Sequence, residues 1–157
     1  MTTTTTSKIR YGYAAGPAQV AALVVAILFI LLGIAGFIPG ITTNLGSIRF
    51  AGPDSDAMIF GLFQTAVLRN ALYLVIGLAG LGAAGKRLNS TLYIAGAGML
   101  MLTLWLYGIL FGNSDFGGNI FPSNLNDYAL DFCVGLGLLI LALSTSQLAL
   151  FGSDYEE

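Results

Sequence analysis

The sequence predicts an all-α membrane protein, a bundle of four transmembrane helices with its N and C termini in the cytoplasm. Hydrophobic residues make up 56% of the 157 residues and charged residues only 9%, whereas an ordinary soluble domain carries roughly 25% charged residues. A soluble fold of this size lacks the interior to bury so much apolar surface. Four apolar stretches also approach or exceed the roughly 20 residues that cross a bilayer as a helix. We therefore expect lipid to cover the apolar surplus.

The predicted spans are apolar stretches without an interior proline, and they cover residues 18–38, 67–85, 92–111 and 129–150. Lys8 and Arg10 precede the first span, as basic residues precede the core of a signal peptide. The apolar run is longer than the 7–15 residues of a typical signal core. A retained span is therefore favoured. The predicted organisation is a disordered leader over residues 1–16, a membrane domain over 17–151 and an acidic tail over 152–157.

The orientation follows from the basic residues near the ends of the spans, because cytoplasmic loops are enriched in Lys and Arg. Four of the six basic residues fall on one side, namely Lys8, Arg10, Lys86 and Arg87. The opposite side has only Arg49 and the span-embedded Arg69. The termini and the turn between the second and third spans are therefore predicted to be cytoplasmic.

The connections between spans carry their own signals. In the short turn that follows the second span, Gly85 is suited to a left-handed helix end, and Asn89 or Ser90 to capping the next helix. This turn predicts that the second and third spans are antiparallel neighbours. The apolar residues 58–63 before the second span are expected to lie along the outer membrane interface or to lengthen that helix.

Glycine and alanine recur in every span, as in Gly33 and Gly36, Gly77 and Gly80, Gly96 and Gly98, and Gly135 and Gly137. Lipid tails are as apolar as leucine, so helices associate in a bilayer through close backbone packing and polar contacts. These residues are predicted to be packing surfaces between helices rather than ligand contacts.

Two charged residues within the spans are the candidate site. Arg69 lies roughly 26 Å from the cytoplasmic turn and Asp131 roughly 28 Å from the cytoplasmic end of its span, at 1.5 Å per residue. An isolated charge within a bilayer is energetically unfavourable, and an opposite charge at the same depth reduces that unfavourable free energy. We therefore predict an ion pair between Arg69 and Asp131 within a polar cluster that also contains Asn70, Tyr73 and Gln64. A structural clamp is favoured over a step in a transport path.

Four sequence motifs resemble those of a known family. They are Leu31-Leu32-Gly33-Ile34-Ala35-Gly36-Phe37-Ile38-Pro39-Gly40 with Thr42-Thr43-Asn44; Leu62-Phe63-Gln64 with Val67-Leu68-Arg69-Asn70 and Gly77-Leu78-Ala79-Gly80-Leu81; Leu104-Trp105-Leu106-Tyr107-Gly108; and Phe121-Pro122-Ser123-Asn124 with Asp127. As a set they resemble an uncharacterised bacterial family of four-helix integral membrane proteins, known as domain of unknown function 4383. The resemblance covers about residues 18–145. It implies a location in the bacterial inner membrane and no activity. It also implies histidines at the positions of Arg69, Tyr73 and Asp131, so any chemistry of those histidines is lost here.

The composition argues against most classes of enzyme. The chain has no histidine, which removes the commonest general base and metal ligand. The single cysteine, Cys133, cannot form an intrachain disulfide. No phosphate-binding or nucleophile motif appears, and no basic run indicates a nucleic-acid partner. The chain is therefore predicted not to be an enzyme and to have no cofactor, no metal and no nucleic-acid partner.

Three functions remain open. A structural or accessory subunit of a membrane complex is favoured, with the lipid bilayer, other membrane subunits or further copies of the chain as its partners. One alternative is a small transporter or channel, which would need polar groups along a path. The other is a protein that binds a lipid or quinone, with its headgroup at the polar cluster near Arg69.

Overall fold

The computed structural model of the chain describes residues 12–112 and 118–151, with side chains up to residue 146. The first 11 residues of the predicted leader and the whole predicted tail, residues 152–157, lie outside this part. Tyr13 and Ala14 are described: the Tyr13 hydroxyl donates to the carbonyl of Leu81 (2.8 Å), and the Ala14 N–H donates to that of Ala84 (3.2 Å). These bonds hold the last residues of the predicted leader against the second helix.

Four α-helices make up most of the described chain: α1 Pro17–Ala35, α2 Val67–Ala83, α3 Arg87–Phe111 and α4 Leu125–Phe151. Three are long and apolar enough to cross a membrane, over Pro17–Ala35, Arg87–Phe111 and Leu125–Ser146. The remaining helix, α2, is apolar and has 17 residues, which span about 26 Å. The structure thus has the predicted four helices, one of them shorter than the others.

The segment between α1 and α2 forms a small antiparallel sheet in the order β1 Thr42–Thr43, β2 Met58–Ile59 and β3 Phe63–Gln64. Phe60, Gly61 and Leu62 join β2 to β3, and φ is +55° at Phe60 and +69° at Gly61. The Leu62 N–H donates to the carbonyl of Ile59 at 3.0 Å, so Phe60 and Gly61 are the central residues of a tight turn. The predicted extension of the second helix over residues 58–63 is therefore wrong, because this turn folds the chain back on itself.

The turn between α2 and α3 also differs from its prediction. Gly85 is not left-handed, since the described glycines with positive φ are Gly40, Gly52 and Gly61. The N-cap of α3 is Lys86 and makes no side-chain capping bond. The Ser90 hydroxyl instead donates to the carbonyls of Ala83 (3.0 Å) and Lys86 (2.9 Å). Ser90 therefore satisfies carbonyls at the helix junction rather than the free N–H groups of α3.

The helices pack mainly as two pairs, α1 with α2 and α3 with α4. Contacts between α1 and α3 join the pairs, and α2 touches α3 less extensively. The two helices joined by the short turn are thus neighbours, but neither is the main partner of the other. The buried core between the helices contains Val25, Phe29, Tyr73, Ile76, Ile94 and Met101.

Glycines bring the backbones together within each pair. A Cβ on Gly33 of α1 would lie 2.8 Å from the carbonyl oxygen of Asn70 in α2, and one on Gly77 would lie 2.8 Å from that of Ala26. The predicted packing role is confirmed for these glycines. Gly96 and Gly137 do not pack against another helix of the described chain, because none of its atoms from other helices lies within 4 Å of a Cβ on either.

Candidate functional site

The predicted ion pair lies at the end of the helices next to the small sheet. Arg69 is in the first turn of α2, and its side chain is 3% exposed. Asp127 and Asp131 are four residues apart near the start of α4, and each is 1% exposed. Residues four apart lie on the same face of a helix. Both carboxylates therefore face the Arg69 guanidinium.

The structure brings together the two charges that the sequence pairs. An Arg69 Nη2–H donates to Asp131 Oδ2 at 2.7 Å, and its Nε–H donates to the Tyr73 hydroxyl at 2.9 Å. Nη1 donates to the carbonyl of Pro122 at 2.9 Å and to the Ser123 hydroxyl at 3.3 Å. The guanidinium thus joins α2 to α4 and to the segment that leads into α4.

Asp127 is a second acid in this cluster and lies outside both the predicted fourth span and the predicted polar cluster. Its Oδ1 lies 3.5 Å from Arg69 Nη1. Its Oδ2 accepts the N–H of Gln64 in β3 (3.1 Å) and the N–H of Asn124 (2.8 Å). The Asn124 Oδ1 in turn accepts the Asp127 N–H at 3.1 Å. Asp127 therefore joins the sheet, the start of α4 and Arg69.

Two signals in the sequence could have revealed Asp127. Asn124 and Asp127 have the spacing of a capping box, in which each side chain accepts the backbone N–H of the other residue. Asp127 also stands four residues before Asp131, one turn away on the same face. An acid that caps a helix and faces a buried arginine belongs to the site rather than to the solvent.

The other predicted members take different positions. Gln64 contributes its backbone N–H to Asp127, while its side chain donates to the carbonyl of Ser55 at 2.8 Å. The Asn70 side chain accepts the Thr65 hydroxyl at 2.5 Å and lies against Gly36. Within the described residues Asn70 makes no hydrogen bond to the charged groups. Asn70 instead links the sheet segment to the α1–α2 contact.

We define the outer charge cluster as Arg69, Tyr73, Asp127 and Asp131, named after the side of the membrane on which the sequence predicts it. With both acids ionised its formal charge is −1, from one guanidinium and two carboxylates. Among the described residues Asp131 Oδ1 is buried and has no hydrogen-bond partner. Each guanidinium nitrogen of Arg69 thus donates at least one hydrogen bond, whereas one acceptor on the anionic side has no partner.

A separate apolar groove of about 370 Å³ runs beside the C-terminal part of α1, between Leu28, Ile38 and Phe60. Arg69 is not among its lining residues. The predicted lipid or quinone pocket with its headgroup at Arg69 therefore has no support in this groove.

The comparison with protein families gives the chain its relatives. The model of a family described as a domain of unknown function (DUF4383) matches residues 19–144. No curated protein and no solved structure matches the chain. The family match covers α2, α3, the small sheet, most of α1 and α4, and every residue of the outer charge cluster. It confirms the resemblance in the sequence motifs. The chain therefore belongs to the DUF4383 family.

Proposed function

We propose that the chain crosses a bacterial inner membrane four times, with its termini and the α2–α3 turn in the cytoplasm. The basic residues Lys86 and Arg87 are both exposed at this turn, and such residues are enriched in cytoplasmic loops. The outer charge cluster and the small sheet then lie at the opposite side. At about 26 Å, α2 is shorter than the hydrocarbon core of a bilayer, which is about 30 Å thick. Because the sheet segment and α4 cover its first turn in place of lipid, this shorter length is sufficient.

We propose that the protein is not an enzyme but a structural or accessory subunit of a membrane complex. The observation that carries the proposal is that every guanidinium nitrogen of Arg69 donates a hydrogen bond within the protein. Its guanidinium is 3% exposed, and Nε, Nη1 and Nη2 all donate to groups of the protein itself. A guanidinium held in this way fixes the helices and leaves little room for a substrate.

The positions of the remaining polar groups support this proposal over a transporter or channel. A conducting path needs polar side chains or carbonyls along its length. Towards the proposed cytoplasmic side, three buried polar side chains bond to nearby backbone carbonyls: Gln19 to Gly12 and Gly85, Ser90 to Ala83, and Thr145 to Leu141. They support helix ends and turns locally and do not continue the outer charge cluster as a path.

The outward faces of α3 and α4 are the surfaces that a partner helix would contact. They contain large exposed apolar side chains such as Leu92, Met99 and Ile140. Between them lie Gly96 and Gly137, next to which the described chain has no atoms within 4 Å of a Cβ position. Small residues beside apolar ones let a second helix approach closely in a bilayer.

The test is to extract the protein from its native membrane in a mild detergent and to weigh the intact particle by native mass spectrometry. We expect fixed partner subunits in the particle. The double variant Gly96→Ile and Gly137→Ile is expected to lose them, because it fills the outward faces without touching the core. Leu92→Ile is the matched control and should retain the partners. A particle that contains only this chain, as a monomer or as a homo-oligomer, would overturn the proposal.

A further inference from the structure

The outer charge cluster has an imbalance that the clamp role does not explain. Arg69 supplies one positive charge, and Asp127 and Asp131 together supply two negative charges when ionised. All three side chains are at most 3% exposed. A buried charge without a partner is unfavourable by several kcal/mol even after the surroundings relax. The surplus negative charge therefore needs a counterion or a proton.

The two carboxylates differ in how well the structure satisfies them. Asp127 Oδ2 accepts two backbone N–H groups, and Oδ1 faces Arg69 at 3.5 Å. It also lies in the first turn of α4, where the helix dipole favours negative charge. Asp131 Oδ2 accepts one N–H of Arg69, whereas its Oδ1 is buried with no partner. The surplus charge is therefore least satisfied at Asp131 Oδ1.

A metal cation does not suit this position. Sodium-like and calcium-like cations require several oxygen ligands around one point. The described residues contain no group of three or more acidic or thiol side chains that could hold a metal ion. A proton, by contrast, binds to a single oxygen and requires no cavity.

We infer that the outer charge cluster is a proton-binding site, in which Asp131 takes up one proton at Oδ1 and the cluster becomes electrically neutral. The step converts the carboxylate and a proton from the outer aqueous side into a carboxyl group, with no other bond made or broken. The titratable groups that face Asp131 are Arg69 and Tyr73 from α2 and Asp127 from its own helix. The inference does not depend on the subunit role.

Infrared spectroscopy of the purified protein in phospholipid vesicles tests the inference, because a protonated carboxyl has a carbonyl stretch that a carboxylate lacks. We expect this band in the wild type at neutral pH and its loss in Asp131→Asn. The band should also be lost in Asp127→Asn, because Arg69 then balances an ionised Asp131. Asp56→Asn removes an exposed aspartate of the outer segment and should leave the band unchanged.

Three results would overturn the inference: no protonated carboxyl in the wild type, a band that persists in Asp131→Asn, or a band that persists in Asp127→Asn. A second measurement covers the case of a variant that does not fold. If the folded state holds a proton that the unfolded state releases, the stability falls as the pH rises through the range in which the folded state loses that proton. The melting temperature of the wild type should therefore fall over the pH range in which the infrared band disappears. A constant melting temperature over that range would contradict the inference.

Discussion

Gly98 of α3 and Gly135 of α4 approach each other reciprocally. A Cβ on Gly98 would lie 2.9 Å from the carbonyl oxygen of Gly135, and a Cβ on Gly135 would lie 3.0 Å from that of Gly98. Both obstacles are backbone atoms, so neither can rotate away. The α3–α4 contact is therefore closed to any larger residue at these two positions.

We expect Gly98→Ala and Gly135→Ala each to destabilise the protein by about 1–3 kcal/mol, the usual range for overpacking a close contact. Thermal unfolding in detergent, followed by the loss of monodisperse protein, measures the effect. Gly96→Ala and Gly137→Ala are matched controls on the same two helices, because their Cβ positions are open. Helix propensity alone would favour alanine at all four positions, so equal losses in all four variants would contradict the packing explanation.

Arg69→Gln is expected to be among the most damaging single changes, with a loss of about 3–5 kcal/mol. It leaves the buried side chains of Asp127 and Asp131 without their cation, and breaking a buried ion pair from one side has this effect. Arg49→Gln is the control, since Arg49 is exposed and makes its recorded hydrogen bonds through the backbone. Unfolding of both variants under the same detergent conditions gives the comparison.

The double variant Arg69→Gln with Asp131→Asn separates the pair from the rest of the site. Residues in one ion-pair network do not act additively. We therefore expect the double variant to lose less stability than the sum of the two single losses. Additive losses would mean that Arg69 and Asp131 contribute independently in spite of their 2.7 Å contact.

Asn124→Ala should destabilise the start of α4 by about 0.5–2 kcal/mol, the range for losing a capping side chain. The Asn124 Oδ1 accepts the N–H groups of Asn126 (2.8 Å) and Asp127 (3.1 Å). Asn124→Asp keeps an acceptor oxygen and is expected to retain most of the stability. Hydrogen exchange at the first turn of α4 should increase in the alanine variant; unchanged exchange there would rule out a capping role.

The proposed topology predicts which positions an impermeant thiol reagent reaches in intact cells. Cys133 is replaced by Ser first, since it is the only cysteine in the chain. In that background Asp56→Cys should react from outside, and Asn89→Cys should react only after the membrane is opened. Both original residues are exposed. Reaction of Asn89→Cys in intact cells would reverse the orientation.

The helices were predictable because hydrophobicity over about 20 residues directly reflects a bilayer-sized span. The pairing of Arg69 with Asp131 was also accessible, since their depths follow from helical rise alone. The small sheet was not, because Met58–Ile59 and Phe63–Gln64 are too short to show an alternating pattern. Its turn places a positive φ on Phe60, a residue type that gives no turn signal.

The role of Asp127 was missed for a different reason. Its sequence neighbours are typical of a polar loop, and its burial is produced by residues distant in the chain, Gln64 and Arg69. The open positions of Gly96 and Gly137 within the described chain could not be predicted for the same reason. Which of two nearby glycines faces another helix depends on how the helices are rotated, and composition does not encode that rotation.

The hydrogen bonds of Arg69 have a consequence for how the helices insert while the protein is being synthesised. The α1–α2 pair and Arg69 leave the ribosome first, whereas Asp127 and Asp131 follow about 60 residues later. Insertion scales give an uncompensated arginine an unfavourable free energy of about 2.5–3.5 kcal/mol at the bilayer centre, and less near the bilayer edge. Until α4 arrives, Arg69 must therefore stay close to the aqueous boundary or be held by the insertion machinery. The acids of the fourth helix thus complete the environment that Arg69 of the second helix needs.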